Sequence, residues 1–230
     1  MAHAHPTEFS RDANRRVIWT LALAAIATGL TVAAFLGDDP CMQWMQAHQS
    51  RTASLLASKL SRFGDWPEFM LYGSVVLAIA WTRRACRLAH LIFCMMLAST
   101  LAGATANSIR LLSGRTRPSE REIRSGWYGL WYGKTFLLRK NKFHSFPSGH
   151  TASAFAFFGT AAWAHRRWGW LALSLAGAIA WSRLYLNAHH LSDVVVALII
   201  GLLLAFVVWR RAGPPLRRWV DRWCGHRNRP

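Results

Sequence analysis

Three polar clusters interrupt a chain that is otherwise rich in apolar residues. The first is Arg110-Leu-Leu-Ser-Gly-Arg-Thr-Arg117-Pro118, the second Phe146-Pro147-Ser148-Gly149-His150-Thr151, and the third comprises Ser182, Arg183, His189 and Asp193. Arg110, Arg117 and Arg183 offer planar forks of donors that match phosphate oxygens. Ser148 and Gly149 stand where an apolar stretch opens. The free N–H groups and dipole of a helix starting there favour an anion, and a glycine lets the backbone approach it closely. His189 precedes Asp193 by four residues, so both project from one face of a helix that starts early enough. A carboxylate hydrogen-bonded to one ring nitrogen fixes the tautomer and leaves the other nitrogen as nucleophile. His150 is then available to protonate a leaving oxygen. The sequence has no carboxylate cluster for a pair of metal ions, so the arginines would supply the charge stabilisation that Mg²⁺ supplies elsewhere. These residues suit phosphoryl transfer through histidine, with no cofactor and no metal.

Such residues must be held by rigid elements, and composition says which. The 230 residues are 53% apolar and only 17% charged, against roughly 25% charged in an ordinary soluble domain. The apolar residues are bunched into long uncharged runs, which excludes a disordered chain, a collagen-like one and a soluble coiled coil. Residues 17–36 make a run of about 20 without a charge, enough for a hydrocarbon core of roughly 30 Å. Arg15 and Arg16 precede it, as in a signal peptide. The run is longer than the roughly 7–15 residues of a signal core, and Asp38-Asp39-Pro40 follow directly, so it reads as a retained span. Further spans are expected at 67–82, 88–109, 150–164, 168–186 and 193–209, the second and fourth of the six being short. The expected fold is an all-α polytopic membrane helical bundle of about six transmembrane helices. It forms one membrane-embedded domain over residues 1–230, with a motif-bearing core at 88–210. Between the first two spans, Leu55, Leu56, Lys59, Leu60 and Phe63 recur at helical spacing. That pattern suits an amphipathic helix, either lying in the interface or packed outside the membrane.

Charge gives the orientation. There are 28 Lys and Arg against 10 Asp and Glu, a balance that on a soluble protein would suggest nucleic acid. Here the basic residues sit at the ends of apolar segments, so the expected partners are the bilayer and a phosphorylated lipid, with no nucleic acid. The 13 Trp fit the membrane interface. The four Cys are scattered without a C-x-x-C, which suits neither a disulfide framework nor a zinc site. Arg11, Arg15 and Arg16, Arg83, Arg84 and Arg87, Arg166 and Arg167, and the tail from Arg210 to Arg229 all fall on one side of a six-span bundle. The positive-inside rule makes that side the cytoplasm. The tail reads as a solvated anchor near anionic lipid. The loop 110–148 lies opposite and breaks the rule, with Arg110, Arg115, Arg117, Arg121, Arg124, Lys134, Arg139, Lys140 and Lys142 against only Glu120 and Glu122. Anion binding accounts for it. The links from span three to four and from five to six must emerge on one face, so the three clusters can converge. The preference for Arg over Lys, with abundant Ala, points to a G+C-rich bacterial source and hence to the bacterial cytoplasmic membrane.

The clusters together resemble the signature of the type-2 phosphatidic acid phosphatases, relatives of the vanadium-dependent haloperoxidases: K-x(6)-R-P, P-S-G-H and S-R-x(5)-H-x(3)-D. Arg110 to Pro118 fits the first with Arg in place of Lys, Pro147 to His150 the second, and Ser182 to Asp193 the third. The resemblance implies the helical core of that family and metal-independent hydrolysis. It makes His189 the nucleophile that forms a phosphohistidine, Asp193 its orienting partner and His150 the general acid. Arg110, Arg117, Ser148, Gly149 and Arg183 would hold the phosphate. Arg110 keeps the charge of the family lysine but changes its reach, which bears on substrate fit more than on chemistry. The expected activity is an integral-membrane lipid phosphatase with its site facing the periplasm. Its substrate would be a lipid phosphate or diphosphate monoester such as phosphatidylglycerol phosphate, phosphatidic acid, polyprenyl diphosphate or a lipid A phosphate.

Three other readings compete. A phosphotransferase would pass the same phosphohistidine to a lipid head group. A non-catalytic protein that binds or transports anionic lipid would need the arginines but not the His–Asp spacing. A metal site could draw on His144, His150, His189 and His190, though acidic partners are scarce. Spacing selects His189 over its neighbour His190, and His144 reads as a loop residue. Trp127, Tyr128, Trp131 and Tyr132 read as an interfacial belt rather than substrate contacts. Cys94, Met95 and Met96 read as packing.

Overall fold

The computed structural model describes residues 6–225 apart from Arg121 and Arg139, and it does not describe the side chains of residues 6–13, 16 and 224. Of the basic residues in the charge argument, Arg11, Arg16, Arg121, Arg139, Arg227 and Arg229 therefore lie outside the described residues or side chains, as does the thiol of Cys224. The helices are α1 (Pro6–Leu36), α2 (Asp38–Ala47), α3 (Arg51–Phe63), α4 (Trp66–Thr82), α5 (Cys86–Ser113), α6 (Gly149–Ala164), α7 (Gly169–Tyr185), α8 (Leu191–Val207) and α9 (Gly213–Gly225). A π-helical turn, Val208–Ala212, joins α8 to α9. The loop between α5 and α6 carries the antiparallel pair β1 (Trp131–Tyr132) and β2 (Thr135–Phe136) and a 3₁₀ turn at Asn141–Phe143.

Each expected span falls on a helix: α1, α4, α5, α6, α7 and α8. Among the described residues three stretches are long and apolar enough to cross a membrane, namely Val17–Leu36, Cys86–Ser113 and Leu191–Trp223. The other three helices have only 16 or 17 residues, or about 25 Å at 1.5 Å per residue. The amphipathic helix expected around residues 55–63 is α3, and a separate helix, α2, precedes it. The chain breaks after Ala47, and Ser50 starts α3 by accepting a hydrogen bond from Ala53 N at 3.2 Å. In α3 the small residues Ala57 and Ser61 are buried, and the helix packs on α7. Leu55, Leu56 and Phe63 remain exposed, as an interfacial helix requires.

Small side chains bring the helices together. Cys94, Ala98, Ala102 and Ala106 recur every four residues on α5 and pack with Ala152 and Ala156 of α6 and Ala197 of α8. Where α8 crosses α6, a Cβ on Gly201 would stand 2.7 Å from the Ala152 carbonyl oxygen. Close packing of this kind is how helices associate in lipid. Helix α6 runs through the middle, against α5, α7 and α8. Cys94 and Met95 are buried in the core and Met96 packs against it, as expected. Helix α9 closes the far end: His90 Nε2 meets the Gly213 carbonyl at 2.8 Å, and Val220 packs with Ala80 and Ala89.

Candidate active site

The ends of α1, α5 and α7 and the starts of α4, α6 and α8 meet at one end of the bundle, as the contacts of Asp38, Arg110, Arg183, Asp65, Gly149 and Asp193 show. A glycine turns the chain out of α5. Gly114 has φ +59°, and a Cβ there would strike the Gly129 carbonyl oxygen at 2.1 Å. That turn carries Arg115 inward. Backbone hydrogen bonds then tie the loop to itself, Ser145 N to the Arg115 carbonyl at 3.0 Å and Arg117 N to the Lys142 carbonyl at 3.0 Å.

His189 is the centre of the arrangement. It lies in the turn between α7 and α8, because α8 starts only at Leu191. His189 and Asp193 are therefore brought together by this turn and not by one helical face, which corrects the expectation from spacing. The second correction concerns the tautomer. His189 Nδ1 lies 2.7 Å from the Ser145 carbonyl oxygen, while Asp193 Oδ2 stands 3.6 Å from the same nitrogen, an ion-pair distance. A carbonyl can only accept, so Nδ1 carries the hydrogen and Nε2 keeps the lone pair. Burial pushes the imidazole down to about 4; the Asp193 carboxylate opposes this, and Arg183 and Arg117 add to it. The ring is therefore neutral at physiological pH, the state a nucleophile needs.

Asp193 is fully buried. Its Oδ2 accepts from Ser145 Oγ at 2.5 Å and from His190 N at 2.8 Å, and its Oδ1 meets Arg115 Nη1 at 2.5 Å. Arg115 also reaches Ser192 Oγ at 2.7 Å and Asp38 Oδ2 at 2.6 Å. Asp38 in turn accepts from Ser192 N at 2.8 Å. The guanidinium is stacked on Trp127, 4.7 Å from the ring centroid. Trp127 thus walls a buried ion network rather than serving only as a membrane belt, whereas Tyr128 and Tyr132 pack with Phe143.

The residues expected to hold a phosphate are gathered on the same end. Ser148 caps α6, accepting from Thr151 N at 3.4 Å and Thr151 Oγ1 at 3.0 Å. It accepts in both contacts, so its own O–H is left to donate. Gly149 opens the helix, and a Cβ there would lie 3.5 Å from Arg110 Nη1. Arg110 is braced by Asn107 and Arg183 by Ser61. Arg110, Arg117 and Arg183 each keep a buried Nε–H with no acceptor among the described residues, and the three are close enough for their charges to act on one another. Burial also pushes the Arg117 guanidinium below its usual value, against the pull of Asp193 and Glu120. Three guanidinium donors without partners beside a helix start have the chemistry to receive an oxyanion.

His150, on the first turn of α6, lies 3.3 Å from Asp65 Oδ2 through Nε2. Both residues line a cavity of about 410 Å³ with Arg110, Asn107, Trp66 and Ser153. Burial raises the Asp65 carboxyl above its ordinary value, with Glu68 adding to it and the Trp66 N–H, Arg183 and Arg110 opposing. The other two histidines are turned to backbone: His190 Nε2 to the Thr116 carbonyl at 3.2 Å, and His144 Nε2 to the Leu137 carbonyl at 3.1 Å. Among the described residues no three His, Cys, Asp or Glu side chains are grouped to hold a metal ion.

Sequence reasoning gave no site role to Asp38, Asp65, Ser145 or Ser192, and counted Arg115 only among the basic residues of the loop. The available signal was scarcity: the whole chain has 10 acidic residues, and Asp38 and Asp65 stand at the ends of apolar runs on the site's side.

A family model described as the PAP2 superfamily matches residues 87–214. The putative undecaprenyl-diphosphatase YbjG of Escherichia coli (strain K12) is 39% identical over 83 residues, covering 34% of this chain and 42% of that protein. A lipid A 1-phosphatase of Rhizobium johnstonii is 30% identical over 125 residues, covering 53% of this chain and 49% of that one. The chain thus spans about half the length of the curated relatives it matches. Among solved structures, a transmembrane PAP2-type phosphatidylglycerolphosphate phosphatase from Bacillus subtilis superposes with a TM-score of 0.61 at 18% identity, covering 82% of this chain and 92% of that one. That likeness is one of fold.

Proposed function

The chain belongs to the PAP2 superfamily, and from that premise we propose that it is an integral-membrane lipid phosphatase acting on a phosphate or diphosphate monoester through a phosphohistidine. The observation that carries the reading is the pairing of a neutral, tautomer-fixed His189 with three guanidinium groups whose Nε–H donors have no acceptor. Residues 88–210 form the motif-bearing core of a single phosphatase domain.

Arg110, Arg117 and Arg183, the Ser148 O–H and the α6 backbone at Gly149 hold the phosphate oxygens. The Nε2 lone pair of His189 attacks phosphorus, the bond to the leaving oxygen breaks, and that oxygen takes a proton from His150. The positive charge on His189 is held by the Ser145 carbonyl and the nearby Asp193. Water then attacks phosphorus and gives a proton to His150, while the phosphorus–nitrogen bond breaks and its electron pair returns to Nε2. The arginines carry the developing charge, so no metal ion is needed.

The names of the relatives, lipid A and diacylglycerol pyrophosphate phosphatases and an undecaprenyl-diphosphatase, set the substrate class to test. Purified protein offered a panel of phosphatidylglycerol phosphate, phosphatidic acid, polyprenyl diphosphate and lipid A phosphate should release inorganic phosphate from at least one, with EDTA present. Rapid quench should trap phosphate on His189, and His189→Ala should abolish turnover while lipid binding persists. Phosphorylated acceptor lipid in place of free phosphate would make it a transferase. Loss of turnover in EDTA with recovery in Mg²⁺ would overturn the mechanism.

A further inference from the structure

Asp65 occupies the corner between α3 and α4, and the chemistry above gives it no task. Its Oδ1 is fixed by the Trp66 N–H at 2.8 Å, and its Oδ2 lies 3.3 Å from His150 Nε2. His150 faces the positive charges of Arg110 on α5, Arg117 in the following loop and Arg183 on α7, with the His189 ring in the next turn. An imidazolium at this place therefore stands among three guanidinium groups, and Asp65 is the carboxylate in ion-pair range.

We infer that Asp65 is a positioning residue for the leaving-group step, accepting from His150 Nε2–H and so presenting the other ring nitrogen, Nδ1, to the leaving oxygen. This rests on His150 being the acid of the proposed function. As the bond from phosphorus to the leaving oxygen breaks, its electron pair stays on that oxygen and the Nδ1 proton passes to it. His150 becomes neutral with Nε2–H still on Asp65. In the second step Nδ1 takes a proton from the attacking water, and the imidazolium is restored. Asp65 keeps its charge throughout, and the two steps use no donor beyond His150 and water.

The helix cap alone does not explain an acid here. Asn and Ser cap helices about as well as Asp, so the negative charge is a property the cap leaves unused. Asp65→Asn removes that charge while keeping the cap, and Asp65→Ser is a second cap-preserving variant should the first fail to fold. Turnover would be measured on a long-chain alkyl phosphate and on p-nitrophenyl phosphate, with phosphohistidine trapped by rapid quench. A positioned proton donor contributes about 10²–10⁴. Asp65→Asn should therefore lower kcat on the alkyl ester by about 10–100-fold and leave p-nitrophenyl phosphate within about threefold, because that leaving group hardly needs a proton. Asp65→Glu should recover part of the loss. Equal losses on both substrates, or no loss on the alkyl ester, would overturn the role of Asp65 while wild-type phosphohistidine stands. No phosphohistidine in the wild type would instead overturn the site reading, and this inference with it.

Discussion

Arg115 Nη1 lies 2.5 Å from Asp193 Oδ1, and the other arm of the same guanidinium reaches Asp38 at 2.6 Å. One buried cation thus joins the start of α2 to the first turn of α8. All three side chains are removed from water, so each charge depends on the others for solvation. Ser145, Ser192 and the His190 N–H supply the remaining donors to the two carboxylates. His189 is seated on this network through the Ser145 carbonyl.

Removing the cation should therefore unseat the site. Arg115→Met leaves two buried carboxylates facing each other, and breaking a buried pair costs about 3–5 kcal/mol. We expect a large drop in the melting temperature of the detergent-solubilised protein and loss of phosphohistidine formation. Arg115→Lys keeps the charge but cannot span both acids as a fork, so it should be intermediate. Asp38→Asn, which keeps one oxygen acceptor for Ser192, should cost less than Arg115→Met. A melting temperature unchanged in Arg115→Met would show that the network bears no load.

The tautomer argument gives a different size of effect for Asp193→Asn than spacing alone suggests. In a Ser-His-Asp site the corresponding change costs about 10⁴ in kcat because the ring adopts the wrong tautomer. Here the Ser145 carbonyl holds Nδ1–H at 2.7 Å, so the tautomer survives the change. The loss should fall below about 10⁴, and what remains reflects charge stabilisation of the imidazolium. Steady-state kinetics on the best substrate of the panel decides it. A loss of the full size would mean that Asp193, and not Ser145, sets the tautomer.

The bundle was legible in the sequence, and the residues proposed to react were legible as candidates, because both leave local marks. Apolar runs set α1, α4, α5, α6, α7 and α8, and three short motifs set His189, Asp193, His150 and the arginines. The supporting contacts were not legible, since they join residues far apart in the chain. Asp38 and Ser192 meet across a separation of 154 residues, and Arg183 and Ser61 across 122. No periodicity reports such pairings. Spacing also misled at His189, where x(3) separation from Asp193 looked helical. Helix α8 starts two residues later, and the loop carbonyl of Ser145 takes the ring nitrogen first.

The depressed His189 predicts an acid sensitivity with a definite sign. Its value falls from 6.5 to about 4 on burial. Above 6.5 the ring is neutral both folded and unfolded, and it contributes nothing to the pH dependence. Between 6.5 and about 4 the unfolded chain takes up a proton that the folded one refuses, so stability falls as pH falls. The full effect is on the order of 3 kcal/mol, from roughly 1.4 kcal/mol per unit. His189→Gln should lack it. The drop in melting temperature between about pH 7 and pH 5 should be smaller in the variant than in the wild type. An equal drop in both would show that His189 is not held neutral by the fold.

The last prediction concerns the two sides of the membrane. The site occupies the end of the bundle where α5 stops and α6 starts, while Arg83, Arg84 and Arg87 and Arg210 and Arg211 sit at the junctions of α4 with α5 and of α8 with α9. His90, near the start of α5, touches Gly213 at the start of α9, so these basic junctions share the opposite end. Arg166 and Arg167, between α6 and α7, belong to that end by the alternation of the helices. Short loops rich in Arg stay in the cytoplasm, so we predict the site on the outer side and the N-terminus of α1 inside. The basic loop 114–148 is a weaker counter-signal than its count of cations suggests, because Arg115 is paired with Asp38 and Asp193 and Lys142 with Glu120 and Glu122. Ser125 is exposed on that loop. In a background with Cys41, Cys86, Cys94 and Cys224 replaced, Ser125→Cys should react with a membrane-impermeant maleimide on intact cells or spheroplasts. A cysteine placed at Arg84 should react only after permeabilisation. The reverse pattern would turn the molecule over and place the phosphatase site in the cytoplasm.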